Sequence, residues 1–214
     1  MFIFAKIIKK FDTGLFMREK YIKVLLFAAV VCLFYQCDNA PQMPKPSTYL
    51  RLDIKLSDYV QFNRKDYPFV FEYPDCATVE ELDSKDKSIK WFNLNFKDYN
   101  FTVNMSLLPI NTDTSLNTAV NDCYKFLKRH EKLSGGIIQQ DYKNNEKKVY
   151  GTVFDIKGKD VVSPYQFYLT DSVKYFVRGA LNCNVVPNND SCSAVIKQLK
   201  EDLTHLINTF EWKY

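Results

Sequence analysis

The sequence predicts an α+β fold, a single antiparallel sheet sandwiched with two packed helices, and three observations predict it. Short runs of alternating apolar and polar residues recur after residue 48, two longer runs space their apolar residues at helical intervals, and most gaps between strand-like runs are of hairpin length. Such short gaps join antiparallel neighbours, because a parallel pair needs a crossover of about a dozen residues or more. The composition supplies the necessary core: 214 residues, 46% hydrophobic and 15% aromatic. That excludes disorder, and the length falls within the range of one domain.

The chain divides by pattern into residues 1–36, 37–47 and 48–214. The first segment reads as a signal peptide: Lys20 and Lys23 precede the uncharged run 24–35 (VLLFAAVVCLFY). Twelve residues are too few for a membrane span, which needs about 20. Met17 opens a more compact leader (MREKYIKVLLF) and is an alternative start. At the junction where the composition turns polar stands Cys37, the expected lipidation site. Cys32 competes, because small residues precede it, but cutting there would leave Leu33-Phe34-Tyr35 on the mature chain. Pro41, Pro44 and Pro46 then favour an extended tether, which at ~3.1 Å per residue reaches up to about 30 Å.

The formal charge of +4 sits entirely in residues 1–36, with six bases against two acids, and the remainder balances 23 against 23. A neutral body offers no electrostatic footprint for nucleic acid.

Within 48–214 the first strand candidates are 49–56 and 68–73, the second led by a proline suited to a strand's first residue or an edge. Residues 91–96 alternate, Phe92, Leu94 and Phe96 against Asn93 and Asn95. Residues 100–107 alternate likewise, with Phe101, Val103, Met105 and Leu107 on one face, and Lys97-Asp98-Tyr99-Asn100 between the two runs fits a hairpin loop. The pattern then becomes helical over 115–133, where Leu116, Ala119, Val120, Cys123, Tyr124, Leu127 and His130 share a stripe. Thr114 or Ser115 is its expected cap and Gly135-Gly136 its stop. Four more strands are expected at 137–142, 148–156, 165–170 and 174–185, with turns at Asn144-Asn145, Gly158 and Asp171-Ser172. A second helix carries Val195, Ile196, Leu199, Leu203, Leu206, Ile207 and Phe210 on one stripe, capped by Asn189, Asp190 or Ser191.

Little in the chain announces chemistry. His130 and His205 lie in amphipathic helices with no ligand at metal-binding spacing, so no metal and no cofactor is expected. Six glycines leave little from which to build a phosphate cradle, and no G-x-S-x-G, phosphate-loop or H-E-x-x-H pattern occurs. The acid pairs Glu80-Glu81 and Asp83 with Asp86 read as a solvated stretch rather than a catalytic pair. Of the cysteines beyond Cys37, Cys183 and Cys192 flank a loop containing Pro187 and Asn188 and form the candidate disulfide, while Cys123 on its helical stripe suits a buried thiol. Asp171-Ser172-Val173 fits a short O-glycosylation acceptor pattern, though a turn explains it as well. Arg178 falls on the strand face shared with Phe176 and Ala180, where an arginine generally finds a carboxylate or backbone partner. Arg51, Asp171 and Arg178 are the candidate structural or partner-binding residues.

Several segments carry a resemblance through their order and spacing. They are Pro44-Lys45-Pro46 followed by Tyr49-Leu50-Arg51-Leu52, then Tyr67-Pro68-Phe69-Val70-Phe71-Glu72, Val149-Tyr150-Gly151 and Gln166-Phe167-Tyr168-Leu169-Thr170-Asp171-Ser172. They continue with Phe176-Val177-Arg178-Gly179-Ala180-Leu181, Pro187-Asn188-Asn189-Asp190-Ser191 and the tail from Asp202-Leu203-Thr204-His205-Leu206 to Trp212-Lys213. Together they resemble the gliding-motility lipoprotein GldD family of Bacteroidota, from about Cys37 to the C-terminus. The strand order also resembles the small antiparallel domains of the PsbP and Mog1 type, in which a helix divides the strands into two groups. The resemblance implies a non-enzymatic lipoprotein of the cell envelope, periplasm-facing and anchored by lipid on Cys37. Its implied partners are proteins of the gliding and type IX secretion apparatus, with no nucleic acid and no small-molecule substrate. The alternative is a periplasmic module that binds or hydrolyses cell-wall or glycan material.

Overall fold

A computed structural model describes residues 21–23, 25–27, 58–185, 189–190 and 192–214. By internal packing the chain separates into Met1–Thr48 and Tyr49–Tyr214. In the first unit, residues 21–23 and 25–27 are helical and exposed. Among the described residues no helix is long and apolar enough to cross a membrane. Cys37, the tether, Arg51 and the strand expected at 49–56 lie outside the described residues.

The second unit runs β1 (Tyr59–Phe62), β2 (Phe69–Pro74), β3 (Thr78–Leu82), β4 (Lys90–Phe96), β5 (Phe101–Pro109), α1 (Asp113–Glu131), β6 (Gly136–Asn144), β7 (Val149–Lys157), β8 (Tyr165–Thr170), β9 (Tyr175–Cys183), α2 (Ser193–Thr209) and β10 (Glu211–Trp212). The α+β class and the antiparallel pairing hold. The expected single sheet, however, is accompanied by a second: seven strands in the order β3-β4-β5-β9-β8-β7-β6, and three in the order β1-β2-β10. The sequence pattern missed β1, β3 and β10 because they lack clean alternation. β1 buries only Phe62, β3 is an exposed edge carrying Glu80 and Glu81, and β10 has two residues. Charges on β3 are what an edge strand needs to discourage further pairing.

Helix α1 connects β5, third in the sheet, to β6 at the far edge, and so crosses one face. On that face Leu127 packs with Phe154, Ile156 and Val161, and Cys123 with Ile110 and Phe176. The other face holds the main core, where Phe92, Leu94, Phe101, Val103, Phe167 and Val177 meet α2 through Leu199, Leu203 and Leu206. The three-stranded sheet completes that layer with aromatic rings. Phe62 stacks on Phe71 at 4.7 Å and on Phe92 at 5.2 Å, and Phe210 meets Phe69 at 5.1 Å and Trp212 at 4.9 Å. Each fully buried ring contributes roughly 1.5–3 kcal/mol relative to exposure.

The helix ends differ from the expectation. Thr112, not Thr114 or Ser115, caps α1: its hydroxyl accepts from Ser115 N at 3.1 Å, and Ser115 Oγ accepts from Thr112 N at 3.2 Å. This reciprocal box satisfies two otherwise orphaned donors. Gly135 and Gly136 do not cap the helix; Gly135 N already bonds to Lys157 O at 2.8 Å, and Gly136 opens β6. At α2 the cap is Cys192 without a side-chain bond, because Asn189 is committed elsewhere, its Nδ2 donating to Gly158 O and Val161 O at 2.8 and 3.0 Å.

Two strand glycines are required by close approach. A Cβ on Gly151 would stand 1.9 Å from Tyr168 O, and one on Gly179 would stand 2.2 Å from the ring of Phe167, its cross-strand partner. Both Gly151→Ala and Gly179→Ala are expected to lower stability by at least about 1–3 kcal/mol in urea unfolding. Gly151→Ala should cost the more, since a backbone carbonyl cannot swing aside as a ring can. A neutral Gly151→Ala would refute this packing.

Candidate functional site

The helix α1 leaves the β3-β4-β5 side of its face open, and two polar ladders occupy the bare strands. In one, Asn104 Nδ2 donates to Asn93 Oδ1 at 2.7 Å and Asn182 Nδ2 donates to Asn104 Oδ1. In the other, Asn95 Nδ2 donates to Glu80 Oε2 at 2.8 Å, Thr102 Oγ1 to Asn95 Oδ1 at 3.0 Å, and Asn184 Nδ2 to Thr102 Oγ1 at 2.9 Å. Alternation places these groups outward because Phe92, Leu94, Val103 and Leu181 point into the main core. Trp91 and Leu82 stand beside the ladders, 50% and 38% exposed.

Where the first ladder, through Asn93 and Asn104, meets α1, a cavity of about 440 Å³ opens, lined by Trp91, Leu108, Phe126, Phe176 and Arg178 among others. Arg178 is its cation. Its Nη2 donates to Gln166 Oε1 at 3.2 Å, and its guanidinium carbon lies 4.4 Å from the centroid of Phe126, a ring that Arg129 also approaches at 4.9 Å. The strand face shared with Phe176 is as expected, but the carboxylate or backbone partner is not found. Among the described residues Arg178 has no salt bridge, and Asp122, the acid lining the cavity, pairs with Lys125 at 2.8 Å.

The titrating groups here follow from burial and positive charge. Burial lowers the Arg178 pKa, as does Arg129, with Cys123 acting in the opposite sense; arginine nevertheless remains charged. Burial pushes the Cys123 thiol up to about 11, against the pull of Arg178, so it is a thiol rather than a nucleophilic thiolate at neutral pH. His130 is lowered by burial first, then by Arg178 and Arg129, which keeps it neutral.

Asp171, another expected site residue, is a structural one. Its Oδ1 accepts from Val173 N, Lys174 N and Tyr175 N at 2.8–2.9 Å and folds the β8–β9 turn, with Ser172 at φ 64°. The Cys183–Cys192 bridge is not made: Cys123, Cys183 and Cys192 are free thiols. Both members of the expected pair pack as apolar groups in the main core, and burial, then Cys183, raises the pKa of Cys192.

A second polar cluster, invisible in the sequence, joins α2 to the small sheet. Tyr59 Oη donates to Asp202 Oδ1 at 2.9 Å and Gln198 Nε2 donates to the same oxygen at 3.1 Å. His205 stacks on Tyr59 at 3.8 Å and its Nε2 lies 2.7 Å from Glu72 Oε2. Burial raises the Asp202 pKa, the bonds from Gln198 and Tyr59 only partly opposing it, and Tyr59 is pushed up to about 12 by burial and by Asp202. No group of three metal-ligating side chains exists among the described residues.

The family described as "Gliding motility lipoprotein GldD" matches residues 39–212. No curated protein matches the sequence. Among solved structures, the fold is similar to the solution structure of cyanobacterial PsbP (CyanoP) from Synechocystis sp. PCC 6803. The identity is 13%, the TM-score 0.45, and the likeness covers 75% of this chain and 95% of that one.

The raised Asp202 pKa has a definite sign. A carboxyl whose folded pKa lies above its unfolded value stabilises the fold below the unfolded pKa, and that contribution is lost as pH rises through the folded one. Asp202→Asn keeps the accepting oxygen for Tyr59 and Gln198 but removes the buried charge. It is expected to raise the urea midpoint at pH 7 and to leave it unchanged below about pH 4, where the carboxyl is protonated. A lower midpoint at pH 7 would mean that the charge itself holds His205.

Proposed function

The chain belongs to the gliding motility lipoprotein GldD family, and from that premise we propose that it is a non-enzymatic lipoprotein of the cell envelope. It is held to a membrane by lipid on Cys37, faces the periplasm, and supports gliding and the associated type IX secretion machinery through protein–protein contacts. The observation that carries this reading is the extent of the match, residues 39–212, which takes in the whole folded domain.

The geometry favours contact over catalysis. This sheet face presents the amides of Asn93, Asn104 and Asn182 beside the exposed Trp91, the mixture of directional polar groups and an aromatic anchor that suits a partner surface. A hydrolytic module would bring paired carboxylates to a cavity. The cavity on this face instead carries Arg178, and its acid Asp122 is tied to Lys125.

A deletion strain is expected to lose spreading and secretion of type IX cargo, with both restored by the wild-type chain. Cys37→Ala should abolish metabolic palmitate labelling and release the protein from the membrane fraction. Normal spreading and secretion in the deletion would sink the role in the machinery; continued labelling of Cys37→Ala would sink the anchor. Asn104→Lys, which adds a charge to the exposed face, is expected to fold with a thermal midpoint within a few degrees of wild type yet fail to restore spreading. Full restoration would remove this face from the contact.

A further inference from the structure

The cavity against α1 combines two features that nothing in the fold requires. Its walls are dominated by apolar groups, with Phe126, Phe176 and Leu108 inside and Trp91 at the rim. Set into those walls is Arg178, a half-buried cation that no carboxylate neutralises among the described residues. An arginine in such surroundings ordinarily has an anionic partner, because removing the charge from water is costly when nothing pairs with it. The neighbourhood strengthens the demand. Arg129 shares the Phe126 ring with Arg178, and the nearest imidazole, His130, is held neutral rather than adding or cancelling charge. Among the described residues the hydrogen-bond partners of Arg178 are neutral, the amide oxygen of Gln166, which fixes one side of the guanidinium, and the thiol of Cys123.

We propose that this cavity binds a single-chain anionic amphiphile, a fatty carboxylate whose head group pairs with the Arg178 guanidinium and whose chain lies between Phe126, Phe176 and the outer face of β4 and β5. The volume of about 440 Å³ suits such a ligand, falling in the ~300–1,000 Å³ range of small-molecule sites. A guanidinium matches a carboxylate through two parallel N–H bonds, which fits a planar head group better than a bulky one. A peptide terminus would offer the same carboxylate, but the site lies on a sheet face. The strands beneath it, β4, β5 and β9, already have their main chains paired on both sides, and the edge strand at its border, β3 through Leu82, carries Glu80 and Glu81, charges that discourage addition of a further strand. The ligand is held and not converted: the Cys123 thiol that lines the cavity stays protonated at neutral pH. The inference does not depend on the proposed role in motility.

The test uses the full chain in phosphatidylcholine nanodiscs, cross-linked by a diazirine derivative of dodecanoate and mapped by mass spectrometry. Cross-links are expected on α1 and on β4, β5 or β9 around the cavity. Unlabelled dodecanoate should compete at about tenfold lower concentration than dodecanol, the difference one charge-assisted pair would make. Arg178→Gln should lose that preference with its thermal midpoint retained. Labelling confined to other surfaces, equal competition by dodecanol on the wild-type chain, or an unchanged preference in a folded Arg178→Gln would each overturn the proposal. The wild-type competition decides the matter even if the variant does not fold. Displacement by a peptide ending in a free phenylalanine carboxylate, at lower concentration than dodecanoate, would overturn the lipid in favour of a peptide. A deletion strain with normal spreading would leave the site untouched, so the two readings fail separately.

Discussion

One helix cannot shield seven strands. A helix is about 10 Å across and neighbouring strands lie about 4.8 Å apart, so a single helix covers roughly two or three of them. The β5-to-β6 connection carries α1 over the β9-β8-β7 side of one face and gives that face no second helix. Coverage is therefore incomplete by construction, and the two faces meet the deficit in opposite ways.

On the inner face, α2 is supplemented by the three-stranded sheet. Its rings Phe62, Phe69 and Phe71 extend the apolar layer over Phe92, and Phe210 and Trp212 close it from the C-terminal side. Because β2 lies between β1 and β10, this layer forms only when segments near both ends of the folded domain meet, as in the bond from Lys213 N to Pro68 O at 2.7 Å. On the outer face nothing among the described residues supplements α1. The exposed strands carry asparagine and threonine, whose amides and hydroxyls satisfy one another across strands instead of seeking a covering layer. The cavity is the seam between the covered and uncovered halves, where the apolar groups beside α1 give way to the polar strands.

Most of the regular structure was legible along the chain because its periods are strong. Phe92, Leu94 and Phe96 alternate as a half-buried strand must, and Val195, Ile196, Leu199 and Leu203 repeat as a helix packed on one side must. What escaped was structure whose stability comes from elsewhere. β10 is two residues that pair only because β2 is already placed, and β3 is a charged edge whose alternation is masked by Glu80 and Glu81. The cap of α1 shifted by two or three positions because Thr112 and Ser115 satisfy each other, a reciprocal bond that no single residue announces.

The site divides along the same line. The sequence by itself determined the fold class, the outward placement of Asn93 and Asn104, and the position of Arg178 on a face with Phe176, since all of these follow from a period of two. Tertiary structure alone decided what meets Arg178: Gln166 on the neighbouring strand, Phe126 from a helix about 50 residues earlier in the chain, and, among the described residues, no carboxylate. It also turned Asp171 into a turn-former and brought Tyr59, Asp202, His205 and Glu72 together across more than 130 residues. Local pattern reports which way a side chain points; only the packed chain decides what stands opposite it, and pairing, burial and charge all depend on that neighbour.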